Sequence, residues 1–240
     1  MGEQMKNPKG WTIEEVLEII DNAPADMECF KRIGYLHMED DEKYQRYKAA
    51  YDNFISVNGN VASTETDDNL IKGKALEDLV SILFETTGGY YEVYRNLRNG
   101  SNEVDLFVQF NDKGRRCKAI IGEQYQYLLC ECKNYKDAVS VTYVGKFYSL
   151  MKSTNQRFGI VFSYDGFSGE SWGGASGLSK ILFLLDHGVG IECILDFNKN
   201  DFKKILDRES FFNIIDNKRK EMELGIDDIL KYKKKHPNEE

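Results

Sequence analysis

Apolar positions recur at two different periods along this chain, and the change from one to the other divides it. Near the start, Ile13, Val16, Leu17 and Ile20 keep helical spacing behind a capping box formed by Thr12 and Glu15. A second helix is expected over residues 41–57, where Tyr44, Tyr47, Tyr51, Phe54 and Ile55 form an aromatic stripe. Such a stripe can stack on bases, but aromatic residues at helical spacing are far more often core. Residues 58–68, rich in Asn, Ser, Thr and Gly, read as a linker and mark a boundary. Leu76, Leu79, Val80 and Leu83 then predict a third helix over 70–86, ended by Gly88-Gly89.

From residue 90 the period becomes two. Segments 90–97, 103–110, 117–121 and 125–132 read as successive strands, with turn signals at Asn99-Gly100 and at 111–114, so a β-meander is expected. After it the chain alternates. A helix capped by Ser140 or Thr142 runs through Val144, Phe147, Tyr148 and Met151, followed by a short apolar strand at 158–163. A five-glycine loop (164–177), a helix near 178–187, a strand at 189–196 and a helix from 201 toward 222 complete the pattern. This order predicts the α/β class, with a mixed β-sheet flanked by helices. The expected organisation is an N-terminal helical region (1–68), a main domain (69–222) and a charged tail (223–240). The glycine loop lacks both GxxxxGK[ST] and GxGxxG order and reads as a surface loop.

Composition narrows the class. A hydrophobic fraction of 41%, three prolines and a charged fraction of 30% describe a compact globule in water. No run approaches the roughly 20 apolar residues of a membrane span, and residues 1–10 lack the apolar centre of a secretory signal; no membrane partner and a cytoplasmic location are expected. The cysteines Cys29, Cys117, Cys130, Cys132 and Cys193 are odd in number and show no disulfide framework. Cys130 and Cys132 have no second pair nearby, and His37, His187 and His236 are scattered, which argues against a structural zinc site. A net charge of -8 argues against general polyanion binding. Yet between Arg95 and Arg157 eleven Lys or Arg face six Asp or Glu, so positive charge gathers in that stretch.

That stretch also holds the candidate chemistry. The acid-x-lysine tripeptide occurs at Asp41, Glu131, Asp201 and Asp216. Three of these lie in helical patterns, where residues two apart point about 200° away from each other and cannot share a site. Glu131 instead ends the apolar run Tyr127-Leu128-Leu129-Cys130, a buried strand, so Glu131 and Lys133 project together while Cys130 and Cys132 project oppositely. Asp105, on the neighbouring strand, is expected beside them. Two carboxylates about 4 Å apart repel by roughly 1 kcal/mol in water and about 4 kcal/mol at an effective dielectric of 20. A fixed cation such as Lys133, or a divalent metal, relieves this. Mg2+, with Mn2+ as substitute, suits Asp105, Glu131 and the main-chain carbonyl of Cys132. Glu77, at the flank of an apolar helix face, is a fourth candidate for metal or water contact. An internal salt bridge is the alternative for the triad, although buried ion pairs seldom serve stability.

Residues 73 to about 197 resemble the Mrr-type restriction endonuclease branch of the PD-(D/E)xK superfamily. The resemblance is carried by Gly73-Lys74-Ala75-Leu76-Glu77, Asn102-Glu103-Val104-Asp105-Leu106, Leu129-Cys130-Glu131-Cys132-Lys133-Asn134-Tyr135, Val144-Gly145-Lys146-Phe147 and Phe158-Gly159-Ile160-Val161-Phe162-Ser163. It implies a restriction-endonuclease-like mixed sheet, Mg2+-dependent hydrolysis of DNA phosphodiester bonds, and a role in defence against foreign DNA. Two departures bear on substrate. Such proteins often carry glutamine where Glu131 stands, and the Glu103-Val104-Asp105 order is also similar to archaeal Holliday-junction resolvases. A resolvase or repair nuclease therefore stays open, as do a catalytically inactive DNA-binding or assembly module and a phosphate-handling enzyme for small molecules. Arg98, Lys136 and Lys146 flank the site in sequence and could contact backbone phosphates. A homodimer, or a protein partner held by the N-terminal helices, is compatible with the sequence.

Overall fold

Among the described residues, five strands form one sheet in chain order: β1 (Tyr91–Asn99), β2 (Asn102–Phe110), β3 (Tyr127–Lys133), β4 (Phe158–Ser163) and β5 (Cys193–Phe197). The computed structural model describes residues 41–59, 65–99, 102–135, 137–185 and 193–232. The helix expected at the Thr12 capping box, along with Cys29, all three histidines and Lys136, lies outside these described residues. Strands β1, β2 and β3 pair antiparallel, whereas β3–β4 and β4–β5 pair parallel. Connections explain the switch. A short turn suffices between antiparallel β1 and β2, but parallel neighbours need a crossover. The crossovers are supplied by α5 (Val141–Ser153) and α6 (Gly174–Leu185). The expected mixed sheet flanked by helices is therefore the observed architecture.

Alternation along the strands builds two cores. Leu106, Val108, Cys130, Cys132, Ile160, Phe162, Leu195 and Phe197 enter the larger one, together with residues of α1 (Asp41–Gly59), α2 (Glu65–Thr86), α7 (Lys199–Leu206) and α8 (Phe211–Leu224). Leu129, Val161 and Ile194 enter the smaller one, under α5 and α6. The aromatic stripe of α1 is core: Tyr47 and Phe54 are fully buried, and the Tyr47 hydroxyl donates to the Phe202 carbonyl at 2.9 Å. Close approach of α5 depends on Gly159. A Cβ there would fall 2.6 Å from both Met151 Sδ and the Phe147 ring, so any larger residue would force these two α5 side chains to shift.

Several expectations are corrected. Residues 117–121 are helical rather than a strand, so three antiparallel strands replace the expected four. The Asn111 side chain accepts the Gly114 N–H at 3.0 Å and starts α3 (Asp112–Arg116), and after a turn at Cys117 a separate α4 (Lys118–Ile121) follows. A five-residue run is too short for its period to choose between helix and strand. The linker ends early, because α2 begins at Glu65 and Asp68 already pairs with Lys72 one turn on. Likewise α6 begins at Gly174, inside the expected glycine loop. The long helix expected from 201 is two, α7 and α8, broken where Arg208 takes a φ of 77°. A non-glycine residue at positive φ leaves little trace in a sequence.

Candidate active site

The site forms where two strands part. Pairing of β2 with β3 runs from Gln109↔Tyr127 to Leu106↔Cys130 and goes no further, whereas β3 stays paired with β4 as far as Lys133↔Ser163. Beyond Cys130 the open edge of β3 is taken up by a side chain: the Cys132 N–H donates to Asp105 Oδ2 at 2.8 Å. A residue's N–H and C=O leave a strand on the same side, so the Cys132 carbonyl faces this fork as well. At its end β3 is tied to α2 by Asn134, whose side-chain amide donates to the Lys72 carbonyl at 2.8 Å.

Glu131 and Lys133 share the sheet face opposite Cys130 and Cys132, as the alternation of a strand requires. Lys133 Nζ lies 2.5 Å from Glu131 Oε1 and 4.0 Å from Asp105 Oδ2. The three side chains expected to converge do so, each only 17–18% exposed. Burial opposes the Lys133 ammonium, but Glu131 beside it, then Asp105 and Tyr135, outweigh burial and raise its pKa above the usual lysine value. Burial pushes the Cys130 and Cys132 thiols well up, which keeps them neutral.

Glu77, on α2, lies close enough to the fork to feel the charges of Asp105 and Lys133. Its carboxyl is pushed up first by burial and next by the charge of Asp105, with Arg95 opposing at 3.7 Å. Arg95 also holds Asp78 at 2.9 Å. Among the described residues, no group of three or more His, Cys, Asp or Glu is arranged to hold a metal ion. What the fork offers is two carboxylates, from Asp105 and Glu131, plus one carbonyl. That set fits a hard divalent cation which keeps several of its waters and takes one or two carboxylates.

Beside the face that carries Glu131 and Lys133 lies a cavity of about 260 Å3, lined by Glu131, Lys133, Tyr143, Lys146, Phe147 and Val161. Lys146 is thus brought to the site, whereas Arg98 lines a separate cavity with Leu97, Val104 and Phe107; Lys136 falls outside the described residues. Both Lys133 and Lys146 lie within 6 Å of the Tyr143 ring, at 5.9 and 5.6 Å, and Tyr143 packs on Tyr135 with ring centroids 5.5 Å apart. Sequence reasoning missed Arg95, Asn134 and Tyr143. The only signal available was the position of Tyr143 in the first turn of the helix after the lysine.

The remaining acid-x-lysine tripeptides sit in helices, as expected. Asp41 is in α1, Asp201 pairs with Lys218 at 2.9 Å, and Asp216 pairs with Lys220 at 2.6 Å. Among the described residues no helix is long and apolar enough to cross a membrane. The family model Mrr_cat, described as restriction endonuclease, matches residues 69–188, half of the chain. No curated protein and no solved structure matches it.

Proposed function

Because the chain belongs to the Mrr_cat restriction endonuclease family, we propose that it hydrolyses DNA phosphodiester bonds at the β2–β3 fork, with Asp105, Glu131 and Lys133 as the catalytic groups and Mg2+, or Mn2+ in its place, as cofactor. The observation that carries this reading is the meeting of Lys133 Nζ with both carboxylates where the strands separate. Asp105, Glu131 and the Cys132 carbonyl would hold the ion, and Glu77 would contact it through water. When bound, such an ion supplies Lewis acidity toward the phosphate and a more acidic water. The chain's own groups do the rest. Asp105 is held by the Cys132 N–H, so its carboxylate is oriented before substrate arrives. Lys133, kept as an ammonium by its acidic neighbours, balances charge that grows on the phosphoryl oxygens in the transition state. Lys146, beside the same cavity, touches a neighbouring backbone phosphate and sets register without reading sequence.

The nuclease unit is proposed to extend to residue 222, since β5 and α8 complete the larger core although the family match ends at 188. Defence against foreign DNA, in the cytoplasm, is the setting that family membership favours. A plasmid assay tests the activity: supercoiled DNA should be nicked or linearised with Mg2+ or Mn2+ and left intact with a chelator. Tight DNA binding without a nick under either ion would instead favour a silent binding module. Preference for a branched over a linear duplex would redirect the proposal to a junction resolvase.

A further inference from the structure

The sheet face that carries Glu131 and Lys133 is covered only in part by α5 and α6. Toward β1 the described residues leave it exposed, and that part is aromatic. Tyr94 on β1 and Phe107 on β2 are direct cross-strand partners with ring centroids 6.1 Å apart. Tyr127 on β3 follows, its ring 6.3 Å from that of Phe107 and within 10° of parallel. Tyr94 and Tyr127 are 40% and 48% exposed, and Leu97 beside them is 40% exposed. The Tyr94 ring is held in place: its hydroxyl donates to Glu92 Oε2 at 3.0 Å and accepts the Gln109 amide at 3.1 Å.

We propose that this row is a stacking platform for unpaired nucleotides, so that the DNA cleaved at the fork carries a single-stranded stretch next to the scissile bond. The inference rests on the nuclease reading above and names its substrate. Rings on adjacent strands of an open sheet face can each take one base, whatever its identity, because every base has a π face. Position links the row to the site. Tyr127, Leu129 and Glu131 alternate on one face of β3, which places the last ring about 13 Å from the catalytic acid at the usual rise of a strand. The cavity of about 240 Å3 lined by Arg98, Phe107 and Leu129 lies between them.

Cations border the row. Arg98 is exposed on one side of the row, and Arg115, paired with Asp112 at 2.7 Å and close enough to Tyr127 and Glu92 to interact with both, stands on the other. Glu92, in the row, stays a carboxylate, since Gln109 and Tyr94 bond it as neutral donors and hold its pKa down, so ring stacking and not charge favours the nucleotide. A second copy of the chain fits less well. A large aromatic side chain buries about 150–250 Å2 when fully covered, so a few rings already half covered fall well short of the roughly 800 Å2 that each partner of a stable dimer contributes.

The test is binding of a short fluorescein-labelled oligothymidylate by the full chain in chelator, read by anisotropy, with a blunt duplex as comparison. Tyr94→Ala/Tyr127→Ala should weaken oligothymidylate binding by about tenfold or more, with a much smaller loss for the duplex. Tyr94→Phe/Tyr127→Phe should stay within about twofold of wild type, since the rings remain. Thermal melting checks the fold, and the single Tyr127→Ala is read the same way if the double variant melts early. Wild-type affinity in the alanine variants, or equal losses for both DNAs, would overturn the proposal. So would sedimentation showing a wild-type dimer that the alanine variant dissolves. No cleavage is needed for this readout, so a failed plasmid assay and a failed platform are separate results.

Discussion

Two clusters of acids and lysine flank the sheet, and the same residue types serve different ends in them. In the first, at the end of β5, buried Asp201 completes the capping box of α7 with Asn198 and receives Lys218 at 2.9 Å and Lys204 at 3.3 Å. Burial works against the Lys218 charge, but Asp201 and then Asp196 outweigh it. These bonds pin a helix start to the helix that follows. In the second, at the fork, Lys133 faces two carboxylates beside an open strand edge and a cavity. Val161 pairs with both Glu131 and Asp196, so the two clusters meet the sheet one strand apart on either side of it. What separates structure from chemistry is the surrounding hydrogen bonding: charges tied into a helix cap stabilise, whereas charges at a parted strand pair can act on a ligand.

Lys218→Met should give the largest change, on stability alone. Leaving Asp201 without its main counterion inside the protein should cost about 3–5 kcal/mol in urea unfolding, with plasmid cleavage by the folded fraction unaltered. Lost cleavage at full stability would break the comparison. Asp105→Asn should do the reverse. Its amide oxygen still accepts the Cys132 N–H, so the urea midpoint should hold, while cleavage falls by roughly 10²–10³-fold, about 2.7–4 kcal/mol of transition-state stabilisation, a loss like that of one preorganised electrostatic group.

Smaller effects sharpen the contrast. Asn134→Ala removes the bond that ties the end of β3 to α2 and should lower unfolding free energy by about 1 kcal/mol; an unchanged midpoint would mean the fork does not depend on that tie. Lys146→Ala should lower the slope of log affinity against log salt by about 1, uniformly across sequences. Loss of preference for one sequence, with the slope intact, would assign Lys146 to base reading instead.

Much of the fork's side-chain placement was legible because it rests on local periodicity. The apolar run Tyr127-Leu128-Leu129-Cys130 fixes a buried strand, and alternation then puts Glu131 and Lys133 on one side. The strand at 158–163 and the aromatic stripe of α1 were legible for the same reason. The fork itself was not. Where the β2–β3 register stops depends on contacts between segments far apart in sequence, and nothing near Asp105 encodes that it will bond the Cys132 N–H. Arg95 was invisible on the same ground, since only tertiary packing brings it to Glu77. Residues 117–121 misled because a five-residue run is too short for its period to choose between strand and helix.

The central claim is that Asp105 and Lys133 belong to one catalytic centre, and a double-mutant cycle on cleavage tests it most directly. With kcat/KM measured for Asp105→Asn, Lys133→Met and the pair, one centre predicts that the double variant loses little more than either single variant, because groups acting as a unit are strongly non-additive. Losses that multiply would mean the two side chains act independently, and the proposed site would be wrong.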